Sequence, residues 1–237
     1  MTVTDALLGP LLGGADAARP LVTYYDDATG ERIELSSLTL ANWVAKTANL
    51  LRDECDVEAG TTVAVLLPAH WQTAAALLGA WWCGARVTDD PDGAAVALAT
   101  AETLDAAAGA ALVVGFSLDA FGRSLDDLPP DAVDYATEVR VHGDHFTPYA
   151  PVRGDAPALG DATVDEVVAS ARERAAALGL GADDRVLSTR EWAVRPDDDG
   201  LGDGLLAVLA AGASLVQLRH GRDPDRTAAS EKVTRTL

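Results

Sequence analysis

The amino-acid sequence predicts an α/β fold: a doubly wound, mostly parallel sheet, or two such sheets, with helices on both faces. Short apolar runs without alternation are typical of strands covered on both sides. Amphipathic segments of helical length separate these runs. The order helix, glycine-containing turn, strand, helix, Gly-Ala, strand occurs twice, over residues 36–89 and 163–218. Strand–helix–strand units of this length are crossovers of parallel sheets.

The N-terminal part predicts one short helix and a hairpin. Residues 4–12 have moderate amphipathicity and precede a Gly-Gly turn, which indicates a short helix. Residues 19–35 contain two stretches of strand-forming side chains around a polar turn, a pattern typical of a β-hairpin.

The first of the two repeated blocks begins with a helix. A serine hydroxyl can accept a hydrogen bond from a free amide of the first turn, so Ser36 and Ser37 are suited to cap this helix. Its apolar residues recur on one face, namely Leu40, Val44, Ala48 and Leu51. The apolar run 63–67, stopped by Pro68, predicts a buried strand.

The same block ends with a helix and a strand. Residues 71–82 predict the helix, and Gly84 can adopt the left-handed conformation of a helix C-terminus. Residues 86–88 predict the strand.

The stretch that follows alternates between short strands and other elements. A turn at 89–93 is rich in Asp, Pro and Gly. The predicted strands lie at 96–99, 111–114 and 138–142. A helix is predicted at 101–108, and residues 117–128 predict a helix or a loop closed by two prolines.

Residues 146–162 are rich in Pro, Gly and Asp and have no hydrophobic period, which predicts a loop or linker. Thr163 and Glu166 then form a capping box before a helix. The buried face of this helix is predicted to hold Val164, Val167, Val168, Ala171, Ala175 and Leu178. A strand at 186–189, a helix at 201–211 and a strand at 214–218 are predicted to follow.

These elements divide the chain into two predicted units. Residues 1–145 form a first α/β unit with the N-terminal helix and hairpin, 146–162 a linker, and 163–237 a second, smaller α/β unit. The two units can also pack into one domain.

The charge of the chain restricts its partners. It has 18 basic and 37 acidic residues, a formal net charge of −19. An electronegative protein disfavours nucleic acid and anionic membranes. The apolar runs are shorter than a membrane span, and no basic segment with an apolar core indicates a signal peptide. We therefore expect a cytoplasmic protein with no nucleic-acid and no membrane partner.

The two cysteines, Cys55 and Cys83, are isolated. No CxxC or Cys/His spacing is present, so two reduced thiols are expected rather than a disulfide or a metal site.

Several stretches carry a family resemblance. They are Leu35-Ser36 at a helix start, TANLLR at 47–52, EAGTTVAVLLP at 58–68, LLGAWWCGA at 77–85, ALGLGADDRVLS at 177–188, GLL at 204–206 and AGASLV at 211–216. In this order and spacing they resemble the N-terminal region of the adenylate-forming superfamily, the AMP-binding group of acyl-CoA synthetases, nonribosomal peptide adenylation domains and luciferases. The resemblance implies the fold of the N-terminal subdomains of acyl-CoA synthetases.

The chain departs from this family where ATP would bind. In the family, a loop rich in Ser, Thr and Gly, followed by Pro-Lys-Gly, holds the ATP phosphates with amides, hydroxyls and a lysine. The corresponding residues 153–161 read RGDAPALGD, with no lysine, no hydroxyl cluster and two aspartates. The resemblance implies that the family's aromatic-Gly-x-Thr-Glu motif, its ribose-binding aspartate and its catalytic lysine would follow Leu237, outside these 237 residues.

The resemblance therefore assigns no catalytic, cofactor-binding or metal-binding residue, and no cofactor is expected. The sequence predicts a non-catalytic relative of AMP-binding acyl-CoA synthetases that acts as a binding or interaction module. The alternative is one half of a split adenylate-forming ligase that activates a carboxylic acid with ATP. A homodimer or an unidentified protein partner is expected.

Other candidate sites are better explained by structure. The sequence His142-Gly143-Asp144-His145 lacks a full metal-ligand set and predicts a solvated turn. Residues 197–200 lack the alternating ligands of an EF-hand and predict a solvated acidic loop. Residues 200–204 lack the third glycine of a dinucleotide loop and predict a turn.

Two further sequence patterns argue against a hydrolase site and a ligand-binding site. No Gly-x-Ser-x-Gly is present, so the usual hydrolase nucleophile elbow is absent. Trp71, Leu78 and Trp82 share one helix face, which is more typical of a core or an interface than of a ligand box.

Overall fold

The computed structural model describes residues 1–13 and 15–237. The helices are α1 (Val3–Leu7), α2 (Ser37–Cys55), α3 (Trp71–Cys83), α4 (Tyr135–Glu138), α5 (Val164–Ala177), α6 (Asp199–Leu201), α7 (Ala207–Ala211) and α8 (Pro224–Ser230). A π-helical turn, Gly202–Leu206, joins α6 to α7. Short 3-10 helices lie at Gly9–Leu12, Ala15–Ala18, Ala106–Gly109 and Val139–Val141.

The strands form two sheets. They are β1 (Pro20–Asp26), β2 (Glu31–Ser36), β3 (Thr62–Leu66), β4 (Arg86–Thr88), β5 (Val96–Ala99), β6 (Leu112–Gly115), β7 (Val133–Asp134), β8 (Pro157–Leu159), β9 (Ala162–Thr163), β10 (Arg185–Ser188), β11 (Ser214–Arg219) and β12 (Arg235–Thr236). One sheet has the order β12-β10-β11-β1-β2, and the other has the order β7-β6-β5-β3-β4-β8-β9. The pairs β1–β2 and β8–β9 are antiparallel and all others are parallel. The predicted α/β class with mostly parallel sheets is confirmed.

One apolar core joins the two sheets. It includes Val63 and Val87 of the seven-stranded sheet and Val22 and Leu215 of the five-stranded sheet. The outer face of the five-stranded sheet carries Leu187, Val216 and Leu218, against which Ala228 of α8 packs. The other face of the seven-stranded sheet carries Ala64 and Ala97, against which Ala107 packs, so each sheet is covered on both faces.

Helices α2, α3 and α5 begin or end at predicted capping residues. Ser36 accepts a hydrogen bond from the Thr39 amide (3.2 Å), whereas Ser37 is already the first residue of α2. Gly84 ends α3 with a φ of 85°. Thr163 and Glu166 form the predicted capping box of α5. The predicted apolar faces of α2 and α5 are buried, except that Leu178 is half-buried.

The hairpin β1–β2 belongs to the sheet of the C-terminal strands. Strand β1 pairs in parallel with β11, with Val22 opposite Leu215. Residues 20–36 and 185–236 therefore share one sheet although they lie at opposite ends of the sequence. The division into units 1–145 and 163–237 stays a prediction.

In the middle of the chain two predicted elements are wrong or incomplete, and a third adopts one of its two predicted alternatives. Residues 138–142 do not form a strand, because Asp134 accepts a hydrogen bond from the Thr137 amide (2.8 Å) and starts a helical turn there. Residues 101–108 contain turns and a 3-10 helix instead of an α-helix. Residues 117–128 form a loop, since Leu118 and Asp127 have positive φ angles of 55° and 58°.

The ends of the chain also differ from the prediction. Pro10 interrupts the predicted helix 4–12, which splits into α1 and a 3-10 helix. The predicted Gly-Gly turn includes Gly14, which lies outside the described residues. Helix α8 and strand β12 were not predicted. No helix in the described part of the chain is long and apolar enough to cross a bilayer.

Candidate functional site

The counterpart of the phosphate loop, residues 153–161, lies at the edge of the seven-stranded sheet. Its second half forms β8 and the turn of the hairpin β8–β9, with Leu159 opposite Val87 of β4. The predicted loop 146–162 is therefore a loop that ends in an edge hairpin. The Gly160 amide donates to the Val87 carbonyl (2.8 Å), and the Gly160 carbonyl accepts from Arg86 Nε (2.7 Å).

The charges of this segment neutralise one another. Arg153 forms an exposed ion pair with Asp155 (2.7 Å), and Arg86 forms one with Asp161 (2.7 Å). The hydrogen bonds from Arg153 hold the pKa of Asp155 below its usual value. Two carboxylates thus face solvent where the family places a lysine, and the nearby guanidinium groups are already paired. This arrangement does not offer the excess positive charge that a triphosphate requires.

The carboxyl ends of parallel strands are the usual place for a ligand in α/β sheets. Here β1, β11 and β10 end side by side, and the segment after β3 crosses them. We define the strand-end cluster as Tyr24, Asp26, Glu31, His70, Glu191, Arg219 and His220. The Ala69 amide donates to Glu191 Oε2 (3.1 Å), which ties the segment after β3 to the segment after β10.

His70 is the buried centre of this cluster. Its Nδ1 accepts a hydrogen bond from the Gln72 amide (3.1 Å) and so caps α3. The proton of the neutral ring must then lie on Nε2, which is 3.6 Å from Glu31 Oε1 and has no hydrogen-bond partner. Burial lowers the pKa of His70, although Glu31 acts in the opposite direction. The Gln72 amide thus fixes the orientation of the His70 ring, and burial disfavours its protonated form.

The other members of the cluster are also bound to neighbours. Burial raises the pKa of Tyr24, and its ring meets the ring of His70 edge to face at a centroid distance of 4.3 Å. Burial also acts to raise the pKa of Asp26. However, the hydrogen bonds from His220 and from the Ala28 amide (each 2.8 Å) outweigh burial and hold it below its usual value. The side chains of the cluster hold the strand ends together through hydrogen bonds and ion pairs, and this arrangement differs from an open acid–base site.

Sequence analysis did not identify the strand-end cluster. A signal was present, because Asp26 and His70 both follow predicted strands and the carboxyl ends of parallel strands meet at one edge. The sequence does not show that β1 pairs with β11, because no local pattern reveals a pairing between strands so far apart in the chain.

A cleft of about 470 Å³ lies at the opposite, amino ends of β1, β10 and β11. It is lined by charges of both signs, including Arg185 and Asp184. Arg185 donates to Thr23 (3.0 Å) and contacts Glu231, and Asp184 accepts from Thr234 (2.6 Å). Arg185 and Asp184 are therefore engaged in hydrogen bonds and contacts with other residues of the protein.

The segment His142–His145 is anchored on α2. Lys46 donates to the His142 carbonyl (2.6 Å) and pairs with Asp144 (2.9 Å), and Asn49 donates to the His145 carbonyl (2.8 Å). In the described residues, no group of three or more His, Cys, Asp or Glu side chains could hold a metal ion. The segment is thus irregular, and its main-chain carbonyls hold it on α2.

The acidic residues 197–199 begin a helix. Asp198 accepts hydrogen bonds from the amides of Leu201 (2.6 Å) and Ala193 (3.1 Å), and Asp199 pairs with Arg174 (2.8 Å). The following glycines allow close packing, since a Cβ on Gly200 would lie 1.8 Å from the Glu191 carbonyl oxygen. These residues shape a helix start, and the predicted turn at 200–204 is helical instead.

The two cysteines and the predicted helix face of Trp71, Leu78 and Trp82 are largely buried. Cys55 and Cys83 are buried free thiols, and burial raises the pKa of each to about 12. Trp71 and Leu78 are buried, and Trp82 is half-buried with its indole N–H on Asp5 (3.1 Å).

The fold defines a class of protein. An acyl-CoA synthetase from Brucella canis is similar in structure with a TM-score of 0.78 and 20% identity, over 100% of this chain and 47% of its own. The anthranilate CoA ligase AuaEII, in complex with anthranoyl-AMP, is similar with a TM-score of 0.68 and 14% identity, over 91% of this chain and 44% of its own. The chain spans less than half the length of these structures. Its fold is that of the N-terminal subdomains of acyl-CoA synthetases.

The sequence comparison shows the family. No family model matches the chain. A protein of Mycobacterium tuberculosis described as a TIGR03089 family protein is 53% identical over 246 residues, which covers 100% of this chain and 98% of that protein. The chain belongs to the TIGR03089 family.

Proposed function

We propose that this protein is a non-catalytic relative of the AMP-binding acyl-CoA synthetases and acts as a binding or interaction module. The acyl-CoA synthetase-like fold supports the relationship. The observation that supports a loss of adenylation is the segment 153–161, where Arg153 is paired with Asp155 and Arg86 with Asp161.

The charges of the chain disfavour the binding of a nucleotide triphosphate at this segment. A nucleotide triphosphate carries several negative charges, and the chain itself has a formal charge of −19. Binding would require a local excess of positive charge, backbone amides aimed at the phosphates, or a metal ion. The hairpin instead directs its Gly160 amide to β4 and exposes the Asp161 carboxylate.

An exchange assay tests this proposal. We expect ATP–pyrophosphate exchange over a panel of acyl and aryl acids to stay at the level of the blank. An active acyl-CoA synthetase measured with the same panel is the positive control. Clear exchange with any acid would show that the chain does activate carboxylates.

Ligand binding without chemistry needs a separate measurement. A thermal-shift scan with AMP, ATP, CoA and acyl-adenylate mimics detects a ligand that binds the folded state, because such a ligand raises the melting temperature by an amount that grows with the logarithm of its concentration relative to its Kd. A shift with one of these compounds, together with absent exchange, would identify the ligand of a non-catalytic module. A flat result would favour a protein partner.

A second candidate function is one half of a split adenylate-forming ligase, completed by a separate polypeptide. It is favoured by the coverage of the structural relatives, of which this chain matches 47% and 44%. Affinity purification from the native host followed by mass spectrometry tests it. Co-purification of a second ligase-like chain, with exchange activity in the complex, would support this function over the first.

We propose that this protein is cytoplasmic. We also propose that its partner is a second copy of the same chain or an unidentified protein. Leu38, Phe121, Val141 and Tyr149 are large exposed hydrophobic residues and are candidates for such contacts. A monomeric mass in light scattering at high concentration would count against the homodimer.

A further inference from the structure

The cleft of about 470 Å³ at the amino ends of β1, β10 and β11 adjoins the start of α2. Strand β2 runs antiparallel to β1 and brings Ser36 opposite Pro20, so α2 begins beside the first residue of β1. Pro20 and Ser37 both line the cleft. The cleft therefore lies at the ends of the strands opposite to the strand-end cluster, and residues 153–161 take no part in its lining.

Helix α2 presents its positive end to the cleft, because its first residue, Ser37, belongs to the lining. The helix is 19 residues long, and its first turn holds no acidic side chain. The amides at a helix N-terminus carry a partial positive charge, which favours an anion close by. The Ser36 hydroxyl caps the Thr39 amide (3.2 Å), but a neutral cap leaves this charge in place.

The Ser37 side chain is buried without a partner. Only 5% of the surface of Ser37 is exposed. Its hydroxyl makes no hydrogen bond with any residue that the structure describes. Buried polar groups are hydrogen-bonded in most proteins, so this hydroxyl is open to a group that enters the cleft. Because a hydroxyl can donate a hydrogen bond, it suits a carboxylate or phosphate oxygen.

Lys232 adds a positive charge that is not engaged. It lines the cleft, is exposed, and forms no ion pair in the described part of the chain. Arg185 holds the backbone on both sides of Lys232, since its side chain contacts Glu231 and its carbonyl accepts from the Thr234 amide (2.8 Å). The ammonium of Lys232 is therefore anchored at the cleft and available to a ligand.

Asp183 carries the opposite charge. It lines the cleft, is exposed, and has no ion pair within the residues described. Its carboxylate attracts cations, but a cation in the cleft would face the positive end of α2 and the ammonium of Lys232, and like charges repel. Arg19 is a further basic side chain of the lining. The lining therefore favours an anion over a cation.

We propose that this cleft binds a small organic anion, whose carboxylate or phosphate is held by the first turn of α2, the Ser37 hydroxyl and Lys232. A volume of about 470 Å³ falls within the range of about 300–1,000 Å³ typical of small-molecule sites, so the anion can carry an organic part. Pro10, Leu11 and Pro20 offer apolar walls for that part. Occupation of this site does not depend on whether the chain has lost adenylation.

Amide NMR of the intact chain tests the proposal, with inorganic phosphate and propionate as probes and the ionic strength held constant with NaCl. We expect saturable shifts of the amides of Ser37, Lys232 and Gly212, with dissociation constants in the millimolar range. The probe that binds more tightly identifies the acidic group as phosphate or carboxylate. Propylammonium has about the size of propionate and the opposite charge, and it should give no saturable shifts at these residues.

Three variants and one control locate the anion. Ser37→Ala removes the hydroxyl and Lys232→Gln the ammonium, and each should weaken binding about fivefold, roughly the effect of one net hydrogen bond. Asp183→Asn should tighten binding about twofold, because it removes a repulsive carboxylate. Arg222→Gln removes a positive charge from an exposed position outside the lining and should leave binding unchanged.

Three results would overturn the proposal. The first is the absence of saturable shifts with either anion at concentrations up to tens of millimolar. The second is binding of propylammonium as tight as that of propionate. The third is an equal effect of Lys232→Gln and Arg222→Gln, which would assign binding to overall charge. Lys232 is exposed, so its variant remains informative if Ser37→Ala does not fold. Pyrophosphate exchange is measured independently, so its outcome does not affect this one.

Discussion

Glu231 joins three segments of the chain that lie far apart in sequence. Its carboxylate accepts hydrogen bonds from the Tyr25 hydroxyl (2.5 Å) and Arg32 (2.9 Å) and also contacts Arg185. Burial acts to raise the pKa of Glu231, but the hydrogen bonds from these three residues outweigh it and lower the pKa from 4.5 to about 2. The group thus fastens the end of α8 to the hairpin β1–β2 and to β10.

Glu231→Gln should lower the free energy of unfolding at pH 7 by on the order of 3 kcal/mol, the value that a pKa shift of this size implies. Because the pKa is lower in the folded state, this stabilisation is complete above pH 4.5 and is lost as the pH falls from 4.5 toward 2. Urea denaturation of both proteins at pH 7, 4 and 2.5 measures the difference.

Glu173→Gln is the matched control for that series. Glu173 is exposed on α5, and its loss should change the stability by less than about 0.5 kcal/mol. If the free energies of unfolding of wild type and Glu231→Gln differed by the same amount down to pH 2.5, the charge of Glu231 would not be the source of the stabilisation.

At the scale of single elements, the start of α6 depends on the absence of a side chain at Gly200. The helix start packs so closely on the segment after β10 that a Cβ on Gly200 would lie 1.8 Å from the Glu191 carbonyl oxygen. Both groups belong to the backbone, so neither can rotate away. The close approach brings Asp198 into position to bind the Ala193 amide (3.1 Å).

Gly200→Ala should therefore destabilise the protein by about 2 kcal/mol or more, although alanine favours a helix over glycine by about 1 kcal/mol. Thermal unfolding followed by circular dichroism measures the effect. Gly143→Ala is the control, because a Cβ there meets nothing within 4 Å. If both variants melted together, the close contact at Gly200 would not be a constraint.

The edge hairpin β8–β9 depends on one arginine of a neighbouring strand. Arg86 of β4 donates to the Gly160 carbonyl (2.7 Å) and pairs with Asp161 (2.7 Å). Arg86→Ala should raise the hydrogen-exchange rate of the Gly160 amide and its hairpin by roughly tenfold, because local opening costs about 1.4 kcal/mol less. Exchange mass spectrometry measures this.

Arg153→Ala provides the comparison within the same segment. Arg153 pairs only with the exposed Asp155 two residues away, so its loss should leave exchange in the hairpin nearly unchanged. Equal effects of the two variants would show that Arg86 does not hold the hairpin in place.

Local sequence patterns predicted those elements that local chemistry determines. The capping residues Ser36 and Thr163, the glycine end at Gly84 and the apolar face of α2 were all read correctly. The predicted strand at 138–142 was wrong because its β-branched residues follow Asp134, whose side chain starts a helical turn. In short segments, one side-chain hydrogen bond outweighs strand propensity.

For the whole molecule, the missing information is the pairing of distant segments. Strand β1 pairs with β11, and β12 pairs with β10, so the two ends of the sequence meet in one sheet. The strand-end cluster exists only because of this pairing, since it brings Asp26 beside His220. The unusual composition of residues 153–161 could be read from the sequence, but the pairing of β8 with β4 could not, because Val87 lies about seventy residues before Leu159.

The net charge of −19 affects the whole molecule at once. Like charges at this density repel one another in the compact state, and salt screens that repulsion over about 10 Å at 0.1 M ionic strength. Ion pairs such as Arg153–Asp155 are exposed and contribute little that salt could remove.

We therefore expect the melting temperature to rise by roughly 2–5 °C when NaCl is increased from about 0.02 to 0.3 M, since screened repulsion outweighs weakened ion pairs. Scanning calorimetry at pH 7 measures the change, and sucrose at matched osmolality serves as a control for effects other than screening. At pH near 4.3, where the sequence has its isoelectric point, the same salt step should have little effect. A melting temperature that falls with salt at pH 7 would mean that attractive pairs, such as those of Glu231, dominate the electrostatic free energy of the fold.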